Sequence, residues 1–106
     1  GYSLGRDTMI WFWLHYVVAG TSPDNPYLCP LRAADLRDLP AAMVITAEYD
    51  VLRDEGERYA ERLQAAGVAT LLKRYDGMMH GFCQHYRRFS QARQLVQEIA
   101  KALPWA

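Results

Sequence analysis

Two short apolar segments, Ala42–Ala47 (AMVITA) and Thr70–Tyr75 (TLLKRY), flank an amphipathic stretch at residues 53–66 (RDEGERYAERLQAA). That arrangement leaves the chain few options. A continuous apolar run such as AMVITA suits a strand covered on both faces. Between the runs, Tyr59, Leu63 and Ala66 recur at helical spacing. Asp54 and Glu55 fall in the first helical turn, where the helix dipole favours negative charge, and Gly67 takes the position just past the helix end. Two strands joined through a helix run parallel, with a right-handed crossover. The expected fold class is therefore α/β, a strand–helix–strand unit. A further helix over residues 89–103 carries Leu95, Val96, Ile99 and Leu103. Lys73 and Arg74 suggest that the second strand lies at a sheet edge.

The N-terminal portion has a different character. Residues 7–18 (DTMIWFWLHYVV) predict a helix that Asp7 or Thr8 can cap. Ile10, Trp13, Leu14 and Val17 share one face, while Met9, Trp11, Phe12 and Tyr16 leave little polar surface on the other. A helix apolar nearly all round needs cover on several sides. Gly20 to Pro40 holds four of the five prolines and reads as a connector, with helix-favouring residues within Leu31–Asp38.

Composition excludes several partners. Twelve basic and twelve acidic residues cancel, so no net field recruits nucleic acid or an anionic membrane. The longest uncharged stretch, Thr8–Pro23, contains His15, Gly20 and a proline. It falls short of the ~20 apolar residues of a membrane span. Cys29 and Cys83 form no CxxC pair; reduced thiols and a cytoplasmic location are expected.

In open parallel sheets, chemistry collects beyond the carboxyl ends of the strands. Asp50 lies just past the first strand, and His80 lies five residues past the second, in an expected loop over Asp76–Gly81. A carboxylate bonded to one imidazole nitrogen fixes the ring's tautomer and stabilises the imidazolium, leaving the other nitrogen to take a proton from a hydroxyl. Asp before His in the chain is also the order of a Ser…Asp…His machine. Competing residues have plainer readings. Asp54 supplies charge at a helix N-terminus, with Arg58 as its i+4 partner; Asp76 sits in a YDG turn; His15 and His85 are surface or packing residues. His80, Cys83 and His85 lack a fourth ligand for a metal, so no metal is expected. Residues 1–5, GYSLG, spell the G-x-S-x-G of a nucleophile turn, but the turn needs a strand before its serine. Ser3 is read as a coincidence.

AEYDVLRDEGERYAERLQAAGV followed by YDGMMHGF resembles the C-terminal part of the bacterial hormone-sensitive-lipase family of carboxylesterases, within the α/β-hydrolases. The resemblance implies that Asp50 is the triad acid and His80, in HGF, the triad base. Their spacing of thirty residues also fits the family. NPYLCPL and the WFWLHY helix resemble the preceding segment, which contributes to a cap over the acyl pocket. Residues 1–40 are accordingly expected to be a cap-derived helix and Pro-rich connector, and residues 41–106 the C-terminal part of the catalytic domain. Val51 departs from the family's usual proline, loosening the turn after Asp50. The nucleophilic serine and the oxyanion hole are expected upstream of Gly1. The expected substrate is a small-molecule acyl ester, hydrolysed without a cofactor. The 106 residues alone are expected to be inactive and to self-associate through exposed sheet edges. The alternative is a non-catalytic interaction module or one half of a split hydrolase; a flavodoxin-like domain is weaker, for no Gly-rich phosphate turn follows either strand.

Overall fold

The computed structural model describes residues 3–103. In chain order these form α1 (Arg6–Tyr16), β1 (Ala42–Tyr49), α2 (Arg53–Ala65), β2 (Thr70–Met79) and α3 (Ser90–Ala102), with 3₁₀ turns at Pro30–Arg32 and Phe82–His85. β1 and β2 make a two-stranded parallel sheet in which Ala42 opposes Thr70 and Ala47 opposes Tyr75. The crossover is α2, as the spacing of the apolar runs predicts.

Alternation along the strands divides the core in two. Ala42 and Val44 pack against Leu63, Val68 and Leu36 on the α2 side. Ile45, Ala47 and Tyr75 point the other way, into a cluster with Met78, Phe82, Ala92 and Leu95. Each face also carries one glutamate that ties a helix to the sheet. Glu57 of α2 accepts from Thr46 Oγ1 at 2.9 Å and from Arg74 Nε at 2.7 Å. The Arg74 guanidinium and the Thr46 hydroxyl hold its carboxyl down at about 2 against the cost of burial. Glu98 of α3 pairs with Lys73 and accepts from the Tyr75 hydroxyl at 2.6 Å. Lys73, Tyr75 and Gln94 likewise hold Glu98 at about 2, and burial together with the Glu98 contact pushes the Tyr75 phenol well up. The two cationic residues that mark β2 as an edge are thus each consumed by a helix.

α2 ends as its sequence foretells. Gly67 adopts φ +84; its N–H bonds to Gln64 O at 3.0 Å and the Val68 N–H reaches Leu63 O at 3.0 Å. This pair of bonds satisfies the last carbonyls of the helix, and Val68 packs beside Leu63. Gly56 faces β1 so closely that a Cβ there would meet Thr46 Cγ2 at 3.3 Å.

Several expectations change. α1 begins at Arg6 with Gly5 as its N-cap, and no side chain caps it; Asp7 sits inside the first turn and Thr8 one residue further on. The connector's helical content is confined to the Pro30–Arg32 turn, because Asp35 instead folds back on the Arg37 backbone and guanidinium. Asp54 pairs with Arg53 Nε at 2.8 Å, not with Arg58. β2 runs on to Met79, so Asp76–Met79 belongs to a strand and His80 lies one residue beyond it. In α3, Ala92 and Leu95 are buried while Val96 is 56% exposed.

None of the residues of α1 is buried. Leu14 and Tyr16 are each 76% exposed, so the cover its sequence calls for is not supplied by the described residues. The Cα radius of gyration is 15.5 Å, against about 13 Å for a compact domain of this length. No helix among the described residues is long and apolar enough to cross a membrane.

Candidate catalytic site

β1 and β2 deliver one ionisable residue each at their carboxyl ends. Asp50 follows β1 directly and is fixed by its own turn: Leu52 N–H donates to Asp50 Oδ1 at 2.9 Å, and Arg53 N–H donates to Asp50 O at 3.1 Å. The side chain closes this turn, so the absence of proline at Val51 leaves the carboxylate in place. With Oδ1 held by the backbone, Oδ2 faces His80 Nδ1 at 2.8 Å. The Asp50 side chain is 12% exposed and that of His80 is 40% exposed. The pair is therefore embedded at its acid end and open at its base end.

A carboxylate can only accept, so Nδ1 is the protonated nitrogen of a neutral His80 and the lone pair resides on Nε2. That is the arrangement in which an imidazole abstracts a proton from a hydroxyl while the carboxylate steadies the charge that forms.

A break in the ladder brings the two residues together. From Ala47 to Tyr49, β1 advances two residues, while β2 advances four, from Tyr75 to Met79. The extra residues bulge at Gly77, whose φ is +75. Met79 then opposes Tyr49, and the next residues on each strand are His80 and Asp50. In an unbroken ladder His80 would lie two residues, about 6.6 Å, past Asp50. Beyond His80 the chain turns at Gly81, φ +74, and buries Phe82 against Tyr75 with ring centroids 5.1 Å apart. Buried Met78 before the histidine and buried Phe82 after it anchor the segment on both sides.

The other candidates lie apart from this pair. His15 Nδ1 contacts Trp11 O at 2.7 Å and its ring stacks on Trp11. His85 meets the Phe89 ring. Asp76 is exposed on the bulge. Cys29 and Cys83 are free thiols. Ser3 is exposed ahead of α1, at φ +59, and among the described residues it forms no hydrogen bond with His80; Gly1 and Tyr2 lie outside the described residues. Sequence reasoning missed Glu48, whose Oε2 accepts from the Gly77 N–H at 2.6 Å, and the backbone donor at Leu52. The lone glycine in a strand-like run was the available signal, since such glycines mark bulges.

A family model described as alpha/beta hydrolase fold matches residues 1–84. The chain is similar to an arylesterase of Saccharolobus solfataricus, 47% identical over 77 residues, covering 73% of this chain and 25% of that protein. It is also similar to the carboxylic ester hydrolase LipN of Mycobacterium tuberculosis, 35% identical over 104 residues, covering 97% of this chain and 28% of the other. Among solved structures, the esterase of Pyrobaculum calidifontis superposes with a TM-score of 0.86 at 44% identity, covering 94% of this chain and 32% of that one. The chain thus spans a quarter to a third of the length of these relatives.

Proposed function

From the premise that this chain belongs to the alpha/beta hydrolase fold family, we propose that it supplies the acid and base of a carboxylic-ester hydrolase. The carrying observation is the 2.8 Å contact between Asp50 Oδ2 and His80 Nδ1 at the carboxyl ends of two parallel strands. The esterase relatives support the reaction class.

In this reading His80 Nε2 takes the proton of a serine hydroxyl as that oxygen attacks the ester carbonyl. The resulting imidazolium hands the same proton to the departing alcohol, leaving an acyl-enzyme. Water, deprotonated by His80 in turn, then attacks the acyl carbon; the acyl–serine bond breaks, the serine oxygen takes back the proton from His80, and the acid is released. Asp50 keeps Nδ1 protonated and balances the charge on the ring throughout. The serine and the oxyanion donors come from polypeptide other than these 106 residues, and the substrate is a small acyl ester. Residues 1–40 form part of a cap, and residues 41–106 the last part of the catalytic domain. The chain by itself associates with further strands, because among the described residues β1 pairs with β2 on one edge only and an open edge recruits pairing partners. The two free thiols suit a reducing compartment, the cytoplasm.

The test joins this chain to the part of the Pyrobaculum calidifontis esterase that precedes the matched segment and follows hydrolysis of p-nitrophenyl butyrate. Asp50→Asn lowers kcat by about 10⁴-fold, and His80→Gln does as much or more. The 106-residue chain alone gives no turnover. A His80→Gln chimera as active as its parent refutes the assignment; turnover by the isolated chain that is lost on Ser3→Ala refutes the external nucleophile.

A further inference from the structure

We propose that Glu48 is a positioning residue whose side chain sets the register in which His80 meets Asp50; its importance for ester hydrolysis rests on the function proposed above, but the register effect does not. The bulge in β2 leaves backbone groups without a ladder partner, as an inserted residue does. Glu48 Oε2 fills that gap, accepting from Gly77 N–H at 2.6 Å. The bond spans the two strands at the point where β1 advances two residues against four of β2. It lies two residues before Asp50 and three before His80, so it clamps both arms just short of the residues they carry. The Glu48 backbone is held as well, since its carbonyl accepts from Arg53 Nη1 at 2.8 Å. Arg53 in turn opens the helix that follows the Asp50 turn, so the carboxylate, the bulge and the acid's turn form one connected unit.

Among the described residues no packing at Gly77 itself does this work: a Cβ built there would meet no heavy atom within 4 Å. The neighbouring Met78 is buried in the core cluster and anchors the far side of the bulge. Reach, rather than charge, is what the clamp requires: the acceptor must extend from β1 to the N–H of β2. A glutamine has the same length and keeps a carbonyl acceptor, whereas an aspartate keeps the charge and is one methylene short.

The experiment reads the ring of His80 in the 106-residue chain by ¹⁵N NMR, where the nitrogen shifts report which atom carries the proton. Wild type holds the Nδ1–H form. Glu48→Gln retains it. Glu48→Asp and Glu48→Ala shift the ring several-fold toward the Nε2–H form, as Asp50→Asn does when its amide oxygen stays on the Leu52 N–H and its NH2 donates to Nδ1. The Gln and Asp variants decide the matter even if the alanine variant fails to fold. A Glu48→Asp ring indistinguishable from wild type, or a Glu48→Gln ring that behaves like Asp50→Asn, overturns the proposal. In the active chimera the same variants divide in kcat, with Glu48→Asp down about 10- to 100-fold, as misplacement of a reacting group produces, and KM unchanged. If the His80→Gln chimera keeps its activity while the Glu48 variants still move the ring, the esterase reading fails and the positioning role stands.

Discussion

Replacing Gly77 by alanine separates the backbone demand of the bulge from every other contribution. The site is open, with no heavy atom within 4 Å of the added Cβ and φ at +75, so steric overlap contributes nothing. What remains is the left-handed penalty of a residue with a Cβ, about 1–2 kcal/mol. Stiffening of the unfolded chain offsets about 0.4–1 kcal/mol of that. The net loss is about 1 kcal/mol, or about 4–8 °C in Tm for a chain near this size. Gly67 provides the control: its φ is +84 and its surroundings are equally open, so Gly67→Ala loses a similar amount. The two differ in their reach. Gly67 ends α2, far along the chain from the pair, whereas Gly77 sits in the bulge that aligns His80 with Asp50. Urea midpoints of both variants should fall alike, while only Gly77→Ala disturbs the His80 ring. Equal disturbance by both, or a Gly77→Ala chain more stable than wild type, would show that the bulge does not govern the register.

Other perturbations probe the scaffold. Leu63, 2% exposed between α2 and β1, should lose about 2–5 kcal/mol on truncation to alanine, read as a lower urea midpoint; a loss under about 1 kcal/mol would mean that this half of the core is not closed. Glu57 and Glu98 both sit at about 2 in the folded chain, below the ordinary carboxylate value of about 4.3. The unfolded chain therefore takes up more protons on acidification, and the stability these groups contribute is complete above about pH 4.5 and drains away toward pH 2. Urea midpoints should fall across that window, and less steeply in Glu57→Gln; a flat profile would show that neither glutamate's ionisation is linked to folding.

The strand–helix–strand unit was legible because its signals are local. AMVITA can bury both faces, the α2 stripe repeats at helical spacing, and Gly67 stands where a left-handed residue is needed. The family resemblance carried by AEYD and HGF singled out Asp50 and His80 among the acids and histidines. Less was legible at α1, where an apolar sequence specifies a helix but not what covers it. The partner of Asp54 was misread for a related reason: helical spacing nominates Arg58, but the geometry at the helix start puts Arg53 closer.

Periodicity and turn chemistry, both short-range quantities, determined this protein's main elements and their parallel order, and the family resemblance singled out Asp50 and His80. Only the tertiary structure decided that β2 continues through Asp76–Met79, that it bulges at Gly77, and that Glu48 closes the bulge from the opposite strand. The physical reason is that register is a property of two strands at once. The residue that completes the N–H of Gly77 lies twenty-nine positions away in the chain, where no local pattern can see it, and the meeting of Asp50 with His80 depends on that alignment.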